Sequence, residues 1–277
     1  MNANAYANKT GAEIRALCRG GEFDRPTAGV ALGYTQVNLV ILRAEASEEF
    51  EAFCRANPKP CPLLERTAPG WYEPRSMAPH ADMRTDLPRY RVLQHGRCVE
   101  RPTSITTYWL DATRSRASDF VAFLIGCSFT FETALLKAGV PVRHIEEGKN
   151  VPMYRTNIAC TPAGRFHGPL VVSMRPMTPA EAELATRITA AFPRVHGAPI
   201  HLGDPSAIGI TDLARPDYGD AVTLRRGEIP VFWACGVTPM EAIIRAKLDI
   251  AITHEPGHML VTDVTDESLR GGAGAKA

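Results

Sequence analysis

The chain reads as an α/β protein: a layered sheet-and-helix domain with an internal pseudo-duplication and a smaller inserted α+β sub-domain. Three observations carry that expectation. First, β-type runs such as Val37 to Leu42, Leu170 to Met174 and Ile229 to Ala234 alternate with helical patterns. Second, residues 126–146 and 234–254 echo one another without a gap, with Cys127/Cys235, Thr130/Thr238, Ala134/Ala242 and Ala138/Ala246 as identical pairs. Third, the 277 residues, 45% hydrophobic and 22% charged, are enough to bury a sizeable core.

Taken in order, Thr10 caps a short helix carrying Ile14, Leu17 and Cys18, and Gly20-Gly21 stops it. Ser47 with Glu48 and Glu49 starts another, ended by Asn57-Pro58. Prolines crowd residues 58–88, a stretch suited to a lid, a binding loop or a wrap over the core. Tyr90 to Gln94 and Cys98 to Arg101 pair around His95-Gly96, whereas Phe120 to Gly126 suits either a buried strand or a buried helix. Thr178-Pro179-Ala180-Glu181 forms a capping box, and Thr238-Pro239-Met240-Glu241 repeats the device. Ile250 to Thr253 and His258 to Thr262 are short buried strands. Residues 8–268 form one unit, with 1–146 plus 206–268 as the larger part, 147–205 as the smaller sub-domain and 271–277 as a disordered tail.

Composition removes several function classes. A formal net charge of +1 supplies no general attraction to nucleic acid or an anionic membrane. Seven scattered cysteines without a C-x-x-C pair indicate reduced thiols, not a disulfide framework or a zinc ribbon. Residues 1–9 lack the apolar core of a signal peptide, and the run Phe120 to Gly126 is too short to span a bilayer, so a cytoplasmic protein is expected. Neither G-x-G-x-x-G nor G-x-x-x-x-G-K-[ST] occurs, and no cofactor or metal is indicated.

The candidate catalytic residues are Cys127, Glu132, Asp204, Cys235, His254 and His258. Cys127 and Cys235 each precede a helix start, a position that lowers a thiol pKa; small core residues are the plainer account. Glu132 is a general acid or base if desolvated, or merely a carboxylate complementing its helix dipole. His254-Glu255-Pro256-Gly257-His258 matches H-E-x-x-H by letter, but Pro256 and Gly257 oppose the continuous helix that a zinc protease needs. A polar turn between strands fits better. Asp204 sits in the turn-rich segment His196 to Pro205, where turn formation competes with chemistry. The candidate substrate-binding residues are Ser128, Asn150, Tyr154, Arg155, Asn157, Arg175 and His201. Tyr154 and Arg155 alternate on a strand, so only one faces a given side, and either Arg155 or Arg175 suits a carboxylate clamp.

Together, the segments Gly126 to Glu132, Asn150 to Asn157, Gly168 to Pro176, His196 to Pro199, Gly203 to Ser206 and His254 to His258 resemble the D-glutamate cyclase family, whose bacterial members carry a hydro-lyase label. The resemblance runs from about residue 8 to residue 268. It implies loss of water from a small carboxylate-bearing substrate, as in closing D-glutamate to 5-oxo-D-proline. It supplies no catalytic set to carry over. Larger members hold a further domain absent here, so cyclisation itself stays open. A two-cysteine racemase or epimerase, a non-catalytic carboxylate-binding protein and a homo-oligomer remain alternatives or additions.

Overall fold

The computed structural model describes residues 3–109 and 119–271. The expected tail lies, apart from Gly271, outside the described residues. The architecture is mixed α and β, with two sheets and six α-helices among the described residues. All the strand pairings given for the two sheets are antiparallel.

Strand β1 (Tyr34–Arg43) is the spine of the larger sheet. One edge of β1 pairs with β5 (Phe120–Gly126), which in turn pairs with β2 (Leu63–Arg66). The other edge is divided: β10 (Ala251–His254) pairs at Val40 to Leu42, and β11 (Leu260–Thr265) pairs at Tyr34 to Val37. Beyond β10 lie β3 (Tyr90–Gln94) and β4 (Arg97–Glu100). The apolar run in β1 reflects burial on both faces. Val40 and Leu42 pack with Phe50 and Phe53 of α2 (Ala44–Ala56). Leu39 and Ile41 pack with Met77, Met83 and Leu87, so the proline-rich stretch wraps the core.

The smaller sheet has the order β6 (Met153–Ala159), β7 (Pro169–Met177), β9 (Ile229–Ala234), β8 (His201–Leu202). Three of its strands come from residues 147–205 and the fourth, β9, from beyond them. Its faces separate cleanly, as period-two alternation demands. Tyr154, Val172, Met174 and Phe232 form one cluster, while Val231 and Trp233 pack on the other side with Phe131 and Leu135 of α3 (Phe129–Lys137).

Local signals behave unevenly. Thr10 closes a capping box with Glu13 at the start of α1 (Gly11–Arg19), and Thr178 does so with Glu181 at α5 (Pro179–Ala190). Ser47 does not start α2; its hydroxyl donates back to the Ala44 carbonyl at 2.7 Å, already inside the helix. Thr238 does not cap α6 (Thr238–Ala246) either, because its hydroxyl is engaged by a neighbouring strand.

That engagement gives the sequence echo a structural counterpart. In both copies a buried strand turns through a cysteine into a nine-residue helix: β5 into α3 and β9 into α6. The Thr238 hydroxyl accepts from Val171 N–H at 3.0 Å and donates to Val171 C=O at 3.2 Å. The Thr130 hydroxyl does the same with Gln36, at 3.3 Å in each direction. Gln36 and Val171 hold equivalent places, one residue before the register pairs Val37↔Gly126 and Val172↔Ala234.

Candidate functional site

The two turns meet. A Cβ on Gly236 would lie 2.0 Å from Asn38 Nδ2, which itself donates to Gly126 C=O at 2.8 Å. Cys127 and Cys235 share one small apolar cluster with Phe129, Val151, Met153 and Met259. Beside it lies a buried charged group. Arg175 Nε donates to Glu132 Oε1 at 3.0 Å, and Nη2 makes a shorter bond to the same oxygen. Arg175 also donates to Ser128 Oγ and Ser173 Oγ, each at 3.1 Å. His144, on the one-turn helix α4 (Arg143–Glu146), brings Nε2 to 3.2 Å from Glu132 Oε1. The approach is close but off the hydrogen-bonding line, so it is an electrostatic contact more than a bond.

The electrostatics favour an ionised Glu132. Burial pushes its pKa up, but the facing His144 and the Arg175 guanidinium outweigh this and hold the carboxyl below its usual 4.5. All the contacts fall on Oε1. Oε2 is buried with no hydrogen-bond partner among the described residues. The ring of Phe129 stacks on His144, with centroids 6.0 Å apart.

His144 also lines a cavity of about 210 Å³. Its other lining residues are Tyr6, Phe23, Arg25, Pro26, Ala28 and Val30 from the segment before β1, and Ile145, Gly148 and Lys149 from α4 and the loop after it. Arg25 stacks on Tyr6 and Phe23 and has no acidic partner among the described residues, whereas Lys149 is held by Glu147 at 2.8 Å. The cavity therefore has cations at its walls and an imidazole–carboxylate pair behind one of them.

Of the residues singled out by sequence, Ser128, Glu132 and Arg175 come together, with Cys127 and Cys235 adjoining. Arg175 is completely engaged inside the protein and positions Glu132, so it does not act as a carboxylate clamp. The thiols move opposite to the expected direction. Burial pushes Cys235 up to about 11 and Cys127 further, and neither helix start has a side-chain cap. His254 and His258 flank a turn, not a helix, and Asn150 donates to Pro256 C=O within that turn at 3.1 Å. Among the described residues no three His, Cys, Asp or Glu gather as a metal-holding set.

The others lie elsewhere. Arg155 is half-exposed and paired with Asp217 and Glu241. Tyr154 donates to Leu213 C=O at 2.8 Å, and its ring belongs to the sheet face opposite Arg175. His201 pairs with Phe232 on that same face, its Nε2 2.7 Å from Asp204 C=O, and Asp204 accepts from Ser206 N–H in an exposed turn. Asn157 is exposed beside Gly209. His144, His196 and Ser173 were not among the candidate site residues, although His196 opens the turn-rich segment. His196 is buried at φ 84° near Arg175, with Nδ1 2.8 Å from Lys59 C=O, and burial lowers its pKa to about 4.

Comparison with known proteins gives a consistent result. The family model for D-glutamate cyclase matches residues 121–263. A putative hydro-lyase of Stutzerimonas stutzeri is 56% identical over 97% of this chain and 99% of its own length. One from Bacillus licheniformis is 58% identical over 93% and 95%, and the putative hydro-lyase YcsI of Bacillus subtilis is 54% identical over 93% and 97%. Among solved structures, a nitrogen repressor-like protein from Methanococcus jannaschii superimposes at a TM-score of 0.38 and 10% identity, covering 91% of this chain and 98% of that one, a likeness too loose to inform function. No helix among the described residues is long and apolar enough to cross a membrane. The identity and coverage of these relatives, together with the family match, show that this chain belongs to the D-glutamate cyclase family.

Proposed function

We propose that the chain is a hydro-lyase, a carbon–oxygen lyase that removes water from a small carboxylate-bearing substrate in the cavity walled by Arg25, His144 and Lys149. The observation that supports this most is the state of Glu132: ionised, buried, loaded on Oε1 and bare on Oε2. A carboxylate prepared in this way serves as a proton acceptor, or stabilises an imidazolium on His144, 3.2 Å away. Arg25 and Lys149 supply positive charge for the substrate's spectator carboxylate.

The names of the relatives and of the family point to water loss from an amino acid such as D-glutamate. Closing D-glutamate to 5-oxo-D-proline forms one N–C bond and breaks one C–O bond. Two protons leave the ammonium group and depart with the carboxyl oxygen as water. His144 accepts a proton from the amine side and returns it to the departing oxygen, while Glu132 stabilises the charged ring. Replacing His144 by Gln keeps the fold and removes the proton carrier. With D-glutamate and a panel of small hydroxy acids followed by NMR, H144Q is expected to lose at least about 100-fold in turnover. Undiminished turnover in H144Q overturns the assignment. Affinity of the wild type for a panel member without turnover establishes a binding protein instead.

A further inference from the structure

The helix that carries His144 has little of its own to hold it. α4 is a single turn without a side-chain cap, far short of the length at which an isolated helix is stable. It ends in a left-handed glycine, Gly148 at φ +63°. That glycine lets Lys149 N–H reach back to His144 C=O at 2.8 Å, while its own N–H donates to Ile145 C=O at 3.2 Å. His144 and Lys149, which both line the cavity, are thus fastened into one turn.

The irregular segment 220–228 grips this turn from outside. Asn150 N–H donates to Asp220 Oδ2 at 2.9 Å, and Asp220 N–H donates back to Asn150 C=O at 3.2 Å. Lys149 Nζ donates to Ala221 C=O at 2.8 Å, and Thr223 N–H donates to Glu147 Oε1 at 3.1 Å. Arg143 makes the firmest attachment. Its Nη2 donates to Glu228 Oε1 at 2.5 Å, Nη1 to Thr223 C=O at 2.7 Å and Nε to Glu146 Oε2 at 3.1 Å. The side chains of Arg143 and Glu228 are 1% and 8% exposed, so this charge-assisted pair is shielded from water and fixed in geometry. The sequence echo pairs Arg143 with Ala251, so a buried cation stands where the other copy has a methyl group. Glu228 immediately precedes β9, and β9 pairs with β7 through Val231↔Arg175. Neighbouring residues of α4 are therefore moored at the smaller sheet by separate charges. His144 faces Glu132, which Arg175 holds, and Arg143 is held by Glu228.

We infer that Arg143 is a positioning residue for His144, acting through segment 220–228 to keep the imidazole against Glu132 and at the cavity wall. The inference rests on the proposed function for the role of His144, and adds what holds that ring in place. Arg143 itself does not line the cavity. Displacing a reacting group by about 1 Å costs on the order of 100-fold in rate, so a loosened mooring registers in turnover.

Glu228→Gln tests this with little disturbance, because the amide keeps the shape and one acceptor while removing the charge. Arg143→Met removes the whole mooring. D263N is the control: it breaks the pair of Asp263 on β11 with Arg15 on α1, at 2.8 Å. The imidazole resonances of His144, assigned by their absence in H144Q, are expected to move in E228Q and R143M but not in D263N. Turnover of D-glutamate per folded enzyme is expected to fall about tenfold in E228Q with KM changed less than about twofold, and to fall further in R143M. The resonances are read without substrate, so they decide the inference even where no member of the substrate panel turns over. Unmoved His144 resonances in both variants, whatever the loss in urea midpoint, would overturn it and leave Arg143 a structural residue. Moved resonances with undiminished turnover would keep the positioning and sink the chemistry assigned to His144.

Discussion

Replacing Arg175 by Met tests whether the buried charged group is held together as described. The side chains of Arg175 and Glu132 are 0% and 2% exposed, so the carboxylate left behind has no water to turn to. Ser128 and Ser173 lose a donor each but can rotate their hydroxyls, which limits their share. The dominant cost is the uncompensated charge, about 3–5 kcal/mol for a broken buried pair. The sign of the pH dependence follows from Glu132. Its folded pKa lies below 4.5, so in the wild type its stabilisation is present above about pH 4.5 and is lost as pH falls through the folded value. Without the guanidinium, burial drives that pKa upward and the carboxyl sheds its charge by protonating. The deficit of R175M is therefore largest near neutrality and shrinks in acid. Urea titrations at several pH values, with the slope checked for constancy, measure this. The double variant R175M/E132L restores an apolar pair and is expected to be more stable than R175M alone. A deficit below about 1 kcal/mol, or strictly additive single effects, would refute the account.

Thr130→Val and Thr238→Val are expected to destabilise by similar amounts, about 1–3 kcal/mol each, since both strand-bridging hydroxyls leave a buried N–H behind; one silent variant in a denaturant series would break the equivalence. Gly236→Ala forces a methyl group to 2.0 Å from Asn38 Nδ2 and is expected to cost about 1–3 kcal/mol, read from the shift of the urea midpoint. His196 and His254 are both held near pKa 4, below the usual 6.5, so their neutral burial favours folding above about pH 6.5, and that advantage is lost as pH falls toward 4. NMR titration of the imidazole resonances is expected to show both rings still neutral at pH 5.

Much of the frame was legible because it rests on local pattern. The Thr pair of the echo is where both helices bond a neighbouring strand, and repetition in sequence became repetition in hydrogen bonding. Glu132 and Ser128 were visible as polar residues inside that echo. Their partner Arg175 lies 43 residues from Glu132, on the other sheet, and no periodicity reports such a contact. His144 was missed although a signal existed: the echo aligns it with Ile252, and Glu132 with Met240. Where one copy of a duplicated unit is ionisable and the other apolar, packing no longer explains the ionisable one. Tyr154, His201 and Asp204 lie apart from the Glu132 group, because residue type and loop density say nothing about which sheet face a side chain joins.

Burial acts differently on the carboxylate and on the thiols proposed as reacting groups. A two-base racemase needs one thiolate and one thiol poised on either side of the substrate's Cα. With Cys235 pushed up to about 11, its ionised fraction at pH 7 is on the order of one part in ten thousand, and Cys127 ionises less readily still. Raising a thiolate to useful occupancy would mean overcoming the desolvation that places both cysteines among Phe129, Met153 and Met259. Glu132 meets the same desolvation, but His144 and Arg175 more than offset it, so its carboxyl is ionised without a substrate. Under the proposed function, proton chemistry is therefore assigned to Glu132 and His144, not to the thiols. The variant C127S/C235S is expected to retain turnover within about tenfold, and neither it nor the wild type should wash solvent deuterium into Cα of D-glutamate. Rapid Cα exchange in the wild type that disappears in the double serine variant would transfer the chemistry to the thiols and leave the buried carboxylate a structural group.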